Sequence, residues 1–497
     1  MSPSFRAALR FLTSIDRNAV SKLKGGWDRT RVKAAIVIAA AAAALALCLL
    51  PTFVTPDRLP VSLHPAAAQR CVAVFILAVA LWFTSIIPLP ASGLLVIALL
   101  PLLNVLPADT VFSFFGNSAV FFIMGVFLLA AAMIATGLSK RITLLALQRF
   151  DRTPHRLING VLLSAAFLAL WMPSYGVAAM IYPIAVEIVD AMKLERGHAY
   201  AKRLFLALAW GSIIGSCGTI LGGGRGPLAL SLLEKEYPGQ TIEFLQWAIA
   251  CIPLVVLLTA AAAVILRVRL PDDVDDVTPA TQMLDERVRL LGPMSGRERR
   301  LAWLTVLTIA AWIAVGKTFG IAVIAALAAG SLFLLRIVEW NAIQGYVNWG
   351  VIVLYGGAVV LGQSLTETHA MEWLSRLVIT QQTPSWLVLA LLVLVAMALT
   401  EAISNAAAVA ILLPIGFALG EMTGIRPVMM TLVVTVPTGL SFLLPVSSPP
   451  NAIAFAAGHY SVREVVTLGW WLTVCAFVVM LLVVYVWWRT VLGVGAW

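Results

Sequence analysis

Charge is what this chain of 497 residues is short of. Only 12% of its residues are charged and 61% are hydrophobic, whereas a soluble globular domain carries about 25% charged residues. No soluble core could hide that much apolar surface, so the expected solvent is lipid. Cysteine is sparse as well. Cys48, Cys71, Cys217, Cys251 and Cys475 are scattered through apolar segments. They show no CxxC spacing and no His cluster beside them. They read as small buried hydrophobes, and the pattern offers no zinc, haem or iron–sulfur centre and calls for no cofactor. No Ser/His/Asp or metal constellation stands out, so the chain does not read as an enzyme. His64, His155, His198, His369 and His459 all fall between apolar runs, and none is placed to relay protons.

What is present is a series of apolar runs. A span needs about 20 such residues. Clear candidates are 33–51, 67–86, 90–105, 111–137, 243–268, 301–317, 319–337, 349–366 and 466–492. Four more are apolar but interrupted: 157–191, 200–232, 384–418 and 427–457. The first run is preceded by a basic arm, so no cleavable signal peptide is expected. In that arm Phe5, Leu9, Leu12 and Asp16 recur at helical spacing. It reads either as an interfacial helix on anionic lipid or as a basic tail that only sets orientation. Residues 270–300 form the one long polar loop. The expected organisation is a cytoplasmic arm (1–32), an extra span (33–51), a first repeat (67–269), the cytoplasmic linker (270–300) and a second repeat (301–497).

The repeats rest on matching order. LALWMPSYGVAAMIYPIAVEI from Leu168 parallels MALTEAISNAAAVAILLPIGFAL from Met397, with Pro183-Ile184 against Pro414-Ile415. A second interrupted stretch follows each: GTILGGGRGPLAL from Gly218 and LPVSSPPNAIAF from Leu444. The net charge of +10 sits in short basic blocks between runs, not on one face, which argues against nucleic acid. Reading 157–191 and 384–418 as re-entrant hairpins leaves about eleven full crossings and puts most Lys and Arg on the cytoplasmic side with the N-terminus. The hairpins then open to opposite sides, which makes the halves inverted. The fold expectation is an all-α polytopic membrane protein of about eleven transmembrane helices plus two re-entrant hairpins in two inverted repeats.

Paired interruptions at corresponding positions point to a transporter site. Gly222, Gly223, Gly224 and Gly226 around Arg225, and Pro449 and Pro450 in the other half, are expected to break the helices. Broken helices offer N–H groups that suit an anion and carbonyls that suit Na⁺. Arg225 is the single basic residue placed deep in the membrane, where a charge costs at least about 2.5–3.5 kcal/mol. It reads as a fixed cation facing a substrate, or as the ion-pair partner of Glu401 or Glu187. Ser404-Asn405 falls at one expected hairpin turn. Pro173-Ser174-Tyr175-Gly176 falls at the other, where Tyr175 is either a site phenol or a packing residue.

TEAISNAAAVAILLPI from Thr400 and PVSSPPNAIAF from Pro445 resemble the divalent anion/sodium symporter family, and the likeness covers nearly all of the chain after the first span. The resemblance implies a carrier of dicarboxylate, citrate, sulfate or a similar small anion, with an SNT motif at each hairpin tip and a TPPN-like motif at each break. The substrate and two Na⁺ ions would lie between them, in an inner-membrane homodimer that works as an elevator. Carried onto this chain, Ser174, Tyr175, Arg225, Ser404, Asn405, Ser448 and Asn451 are the substrate-binding candidates. Thr400 and Asn405, with carbonyls near Ile403 and Ser447, would hold Na⁺. The first half departs from the pattern. Pro173, Ser174 and Tyr175 replace SNT, Ala169 replaces a hydroxyl, and Gly224-Arg225-Gly226 replaces PPN. In the second half only Ala406 departs, replacing Thr. The expectation is one retained Na⁺ site, with Arg225 standing for the second cation. Other readings are an anion exchanger, a proton-coupled permease, or a cation or metalloid transporter of the wider group. A non-transporting scaffold would not need two polar breaks.

Overall fold

Lipid offers a backbone no hydrogen-bond partners, so each spanning stretch must satisfy its own. Among the described residues every regular element is accordingly helical. The computed structural model describes residues 26–51, 66–150, 153–270, 273–370 and 384–491. The calls on Phe5, Leu9, Leu12 and Asp16 in the basic arm, and on His64, lie outside them.

The first half comprises α1 (Gly26–Leu49), α2 (Ala67–Thr84), α3 (Leu89–Leu102), α4 (Ala108–Phe115), α5 (Ser118–Thr136), α6 (Leu138–Gln148), α7 (Pro154–Ala169), α8 (Ser174–Ala191), α9 (Ala199–Gly215), α10 (Arg225–Glu236) and α11 (Phe244–Arg269). After α12 (Thr278–Leu291) come α13 (Gly296–Phe319), α14 (Ile321–Leu334), the short α15 (Trp340–Ile343), α16 (Trp349–Glu367), α17 (Ser385–Ala402), α18 (Asn405–Thr423), α19 (Pro427–Thr435), α20 (Pro449–Phe455), α21 (Val462–Leu482) and α22 (Arg489–Val491). Among the described residues, ten helical stretches are long and apolar enough to cross a membrane, and three shorter ones are also apolar. Helix occupies every expected span.

Small residues let these helices approach closely, as apolar solvent requires. Gly211 and Gly215 bring α9 against the backbone of α7 at Leu162 and Ala166. Gly357 of α16 meets Gly93 of α3 in the same way. The interrupted elements pack crosswise. Helix α10, which resumes after the first break, lies on α18 and α19, while α20, which resumes after the second, lies on α8 and α9.

Three sequence expectations need correction. The linker is not a plain loop, because α12 fills half of it and packs on α6 and α8. The hairpin turns are tighter than expected: α8 already begins at Ser174, and α18 at Asn405 with Ser404 as its cap. The breaks also lie further upstream. The first runs from Ser216 to Gly224 with a 3₁₀ turn at Ile220–Gly222, and the second from Leu440 to Ser448. Gly226, Pro449 and Pro450 therefore sit in the first turns of α10 and α20 and do not break a helix. A helix leaves its first N–H groups unbonded, so a proline there costs nothing and presets the backbone.

Candidate functional site

Arg225 opens α10, is 5% exposed, and is held by the loop that precedes it. Its Nη2 donates to the Ser216 carbonyl at 3.0 Å, and lies 3.3 Å from Ser216 Oγ and 3.1 Å from Cys217 Sγ. Its Nε has no partner. The guanidinium crosses to the other half, where any side chain at Gly439 would collide with it. On its other flank the Tyr355 ring of α16 leaves no room for a side chain at Gly224.

Neither candidate carboxylate pairs with Arg225. Glu187 is bound by Arg287 at 2.8 Å. Glu401 faces backbone instead: Oε1 accepts the N–H groups of Phe442 (2.7 Å) and Leu443 (2.9 Å), and Oε2 accepts that of Leu444 (3.1 Å). Among the described residues no carboxylate lies within ion-pair distance of the guanidinium. A buried guanidinium without a counter-ion is costly in a membrane, and its open donor side is suited to an anion.

The second half gathers oxygens. Thr400 Oγ1 lies 2.9 Å from Asn405 Oδ1 and 2.7 Å from the Thr438 carbonyl, so the hairpin tip touches the 3₁₀ turn Pro437–Gly439. Asn451 points into the break, where its Nδ2 donates to the Ser441 carbonyl (3.0 Å) and Ser447 Oγ (3.2 Å). Ser447 Oγ in turn donates to the Leu444 carbonyl at 2.7 Å. Ser404 Oγ caps α18 by accepting from Ala407 N. Ile403 is buried, and its N–H closes the last turn of α17 on the Leu399 carbonyl. The hydroxyls of Ser448 and Ser441 are buried and have no partner.

The first half is different. Thr219 Oγ1 donates to the Leu170 carbonyl at the tip of the α7–α8 hairpin. Trp247 Nε1 donates to the Cys217 carbonyl at 3.2 Å. Ala169 is buried and brings no oxygen. Ser174 and Tyr175 are half-buried. The Tyr175 ring meets Phe127 edge-on at 5.8 Å, and neither residue bonds to Arg225. Residues absent from the sequence reading are Tyr355, Gly439, Thr438 and the backbone at 442–444. The glycines after Tyr355 were the one available signal for the first. Among the described residues no three His, Cys, Asp or Glu side chains come together to hold a metal ion.

A polar cleft lies at the far end of α10, lined by Lys235, Glu236, Gln363, Thr366 and Glu421. There Lys235 pairs with Glu367 at 2.6 Å and Thr366 donates to Glu236 at 2.6 Å, tying α10 to α16.

Residues 33–494 match the family model described as the sodium:sulfate symporter transmembrane region. The chain is 27% identical over 459 residues to a sodium-dependent dicarboxylate transporter, SdcS, of Staphylococcus saprophyticus, covering 85% of this chain and 87% of that one. The SdcS of Staphylococcus aureus is also 27% identical, over 457 residues with the same coverage. Among solved structures, the Alcanivorax borkumensis YdaH transporter aligns with a TM-score of 0.47 and 15% identity, over 77% of this chain and 87% of that one.

Proposed function

The chain belongs to the sodium:sulfate symporter family, and on that footing we propose that it carries a small anion, a dicarboxylate, citrate, sulfate or similar, with Na⁺ bound in the second half and Arg225 as the cation of the first. Secondary transport itself follows from the family; the division of charge is read from this chain's own residues. The observation that carries it is a guanidinium at a helix break, 5% exposed, with a free Nε and, among the described residues, no carboxylate partner. In the other half Thr400 Oγ1, Asn405 Oδ1 and the Thr438 carbonyl are oxygens of the kind Na⁺ takes, and the last two each lie within hydrogen-bond reach of Thr400 Oγ1. Ser174, Tyr175, Ser404, Ser448 and Asn451 would serve as neutral donors to the anion. An inverted-repeat carrier, homodimeric, in a bacterial inner membrane with a cytoplasmic N-terminus, and moving its hairpins as an elevator, completes the reading.

The test is uptake of labelled succinate, citrate and sulfate into proteoliposomes with and without an inward Na⁺ gradient. Uptake of at least one should need Na⁺. Charge-assisted hydrogen bonds contribute about 1.5–3 kcal/mol each, so Arg225→Ala should weaken apparent anion affinity roughly 10- to 100-fold. Wild-type kinetics in that variant would sink the assignment. A second reading, anion exchange, draws on the same unpaired charge, since a fixed cation makes the empty site expensive to move through lipid. Strong acceleration of uptake by internal anion, with no need for Na⁺, would favour it.

A further inference from the structure

Glu401 is a buried carboxylate that neither the anion nor the cation reading uses. It is 8% exposed, closes α17 at the hairpin tip, and directly follows Thr400. The groups facing it from the break are the N–H groups of Phe442, Leu443 and Leu444 and the Ser447 hydroxyl; no charged side chain pairs with it among the described residues. The nearest fixed cation along that loop is Arg225, whose guanidinium rests on Gly439 and makes no ion pair with Glu401. Two adjacent tip residues therefore grip one loop at two points. Thr400 holds the carbonyl of Thr438, and Glu401 holds the amides of 442–444.

We propose that Glu401 is the positioning residue of the cation half-site: its carboxylate pins the loop at Phe442–Leu444 so that the Thr438 carbonyl meets Thr400, which carries Asn405 Oδ1 on the same hydroxyl. This rests on the reading that those three oxygens take Na⁺. The chemistry needs a carboxylate. Both of its oxygens accept, so three amides are served at once. A glutamine is the same size, but its amide nitrogen can only donate and would face the Leu444 or Phe442 N–H, donor against donor.

The test compares Glu401→Gln with wild type in proteoliposomes, taking the Na⁺ midpoint at saturating anion and the anion midpoint at saturating Na⁺. The expected result is a Na⁺ midpoint raised about tenfold or more, the loss of one charge-assisted bond, with the anion midpoint within about threefold of wild type. An unchanged Na⁺ midpoint overturns the proposal, and so does an equal shift of both midpoints, which a merely structural role would give. Wild-type uptake that ignores Na⁺ would remove the half-site itself, and this role with it. Where Glu401→Gln does not reach the membrane, amide hydrogen exchange of the wild-type chain decides. Amides 442–444 should exchange much more slowly than the rest of the break, and fast exchange there overturns the clasp.

Discussion

Arg225 and Gly439 meet across the boundary between the halves, and the contact leaves no space for even a methyl group. Gly439→Ala should therefore displace the guanidinium while leaving its charge in place. Overpacking of this kind costs about 1–3 kcal/mol. The expected outcome is an anion KM raised roughly tenfold, in the direction of Arg225→Ala, in protein that still elutes as a single species in detergent. A wild-type KM would show that the guanidinium can serve the anion from another position. The charge of Arg225 was legible because a lone basic residue among glycines deep in an apolar run has few innocent explanations. Its surroundings were not. Ser216, Cys217 and Gly439 reach it only through the folding of two loops. Glu401 was legible as a charge but not in its role, because its partners are backbone amides that any sequence would supply.

At the level of elements the two hairpins and two breaks stand where the interrupted runs placed them. The edges differ because glycine and proline, which break a helix interior, are tolerated or favoured at its start. Helix α12 was missed for a different reason. Its composition is polar, yet Ala280, Leu284, Val288 and Leu291 recur at helical spacing, Pro279 sits in its first turn, and Gly292 follows its end. Arg141 of α6 shows what that helix is for. It binds Glu298 at 2.9 and 3.2 Å and donates to the carbonyls of Leu291 (3.1 Å) and Gly292 (2.9 Å), fastening α6 to the α12–α13 junction. Arg141→Ala should lower stability by about 1–3 kcal/mol, read as a fall in thermal midpoint of the purified protein. An unchanged midpoint would mean that the junction holds without it. A quieter device joins α11 to the helical turns Val483–Trp488 that continue α21. Pro253 has no N–H to give the Ile249 carbonyl, and Trp487 Nε1 fills that vacancy at 2.9 Å.

Each half has a helical hairpin followed by a break, and the two are equipped differently. Each post-break helix leans on the opposite half's hairpin, and Arg225 abuts Gly439 at the edge of the second break. Only the second brings together a side-chain hydroxyl, an amide oxygen and a carbonyl; the first brings an arginine. With a single dissociable cation, the Na⁺ dependence of anion uptake should follow a simple hyperbola with a Hill coefficient near 1. A coefficient approaching 2 would require a second Na⁺ and would contradict the role given to Arg225.

A guanidinium bound through its own backbone has one property that a dissolved ion lacks, which is that dilution cannot remove it. On this reading half of the site is filled at any external salinity, and each cycle spends one sodium fewer from the membrane gradient. The benefit falls where sodium is scarce. A cell in fresh water or damp soil could scavenge anions with this carrier when one needing two sodium ions would stall, at the cost of a shallower limit to how far it can concentrate them.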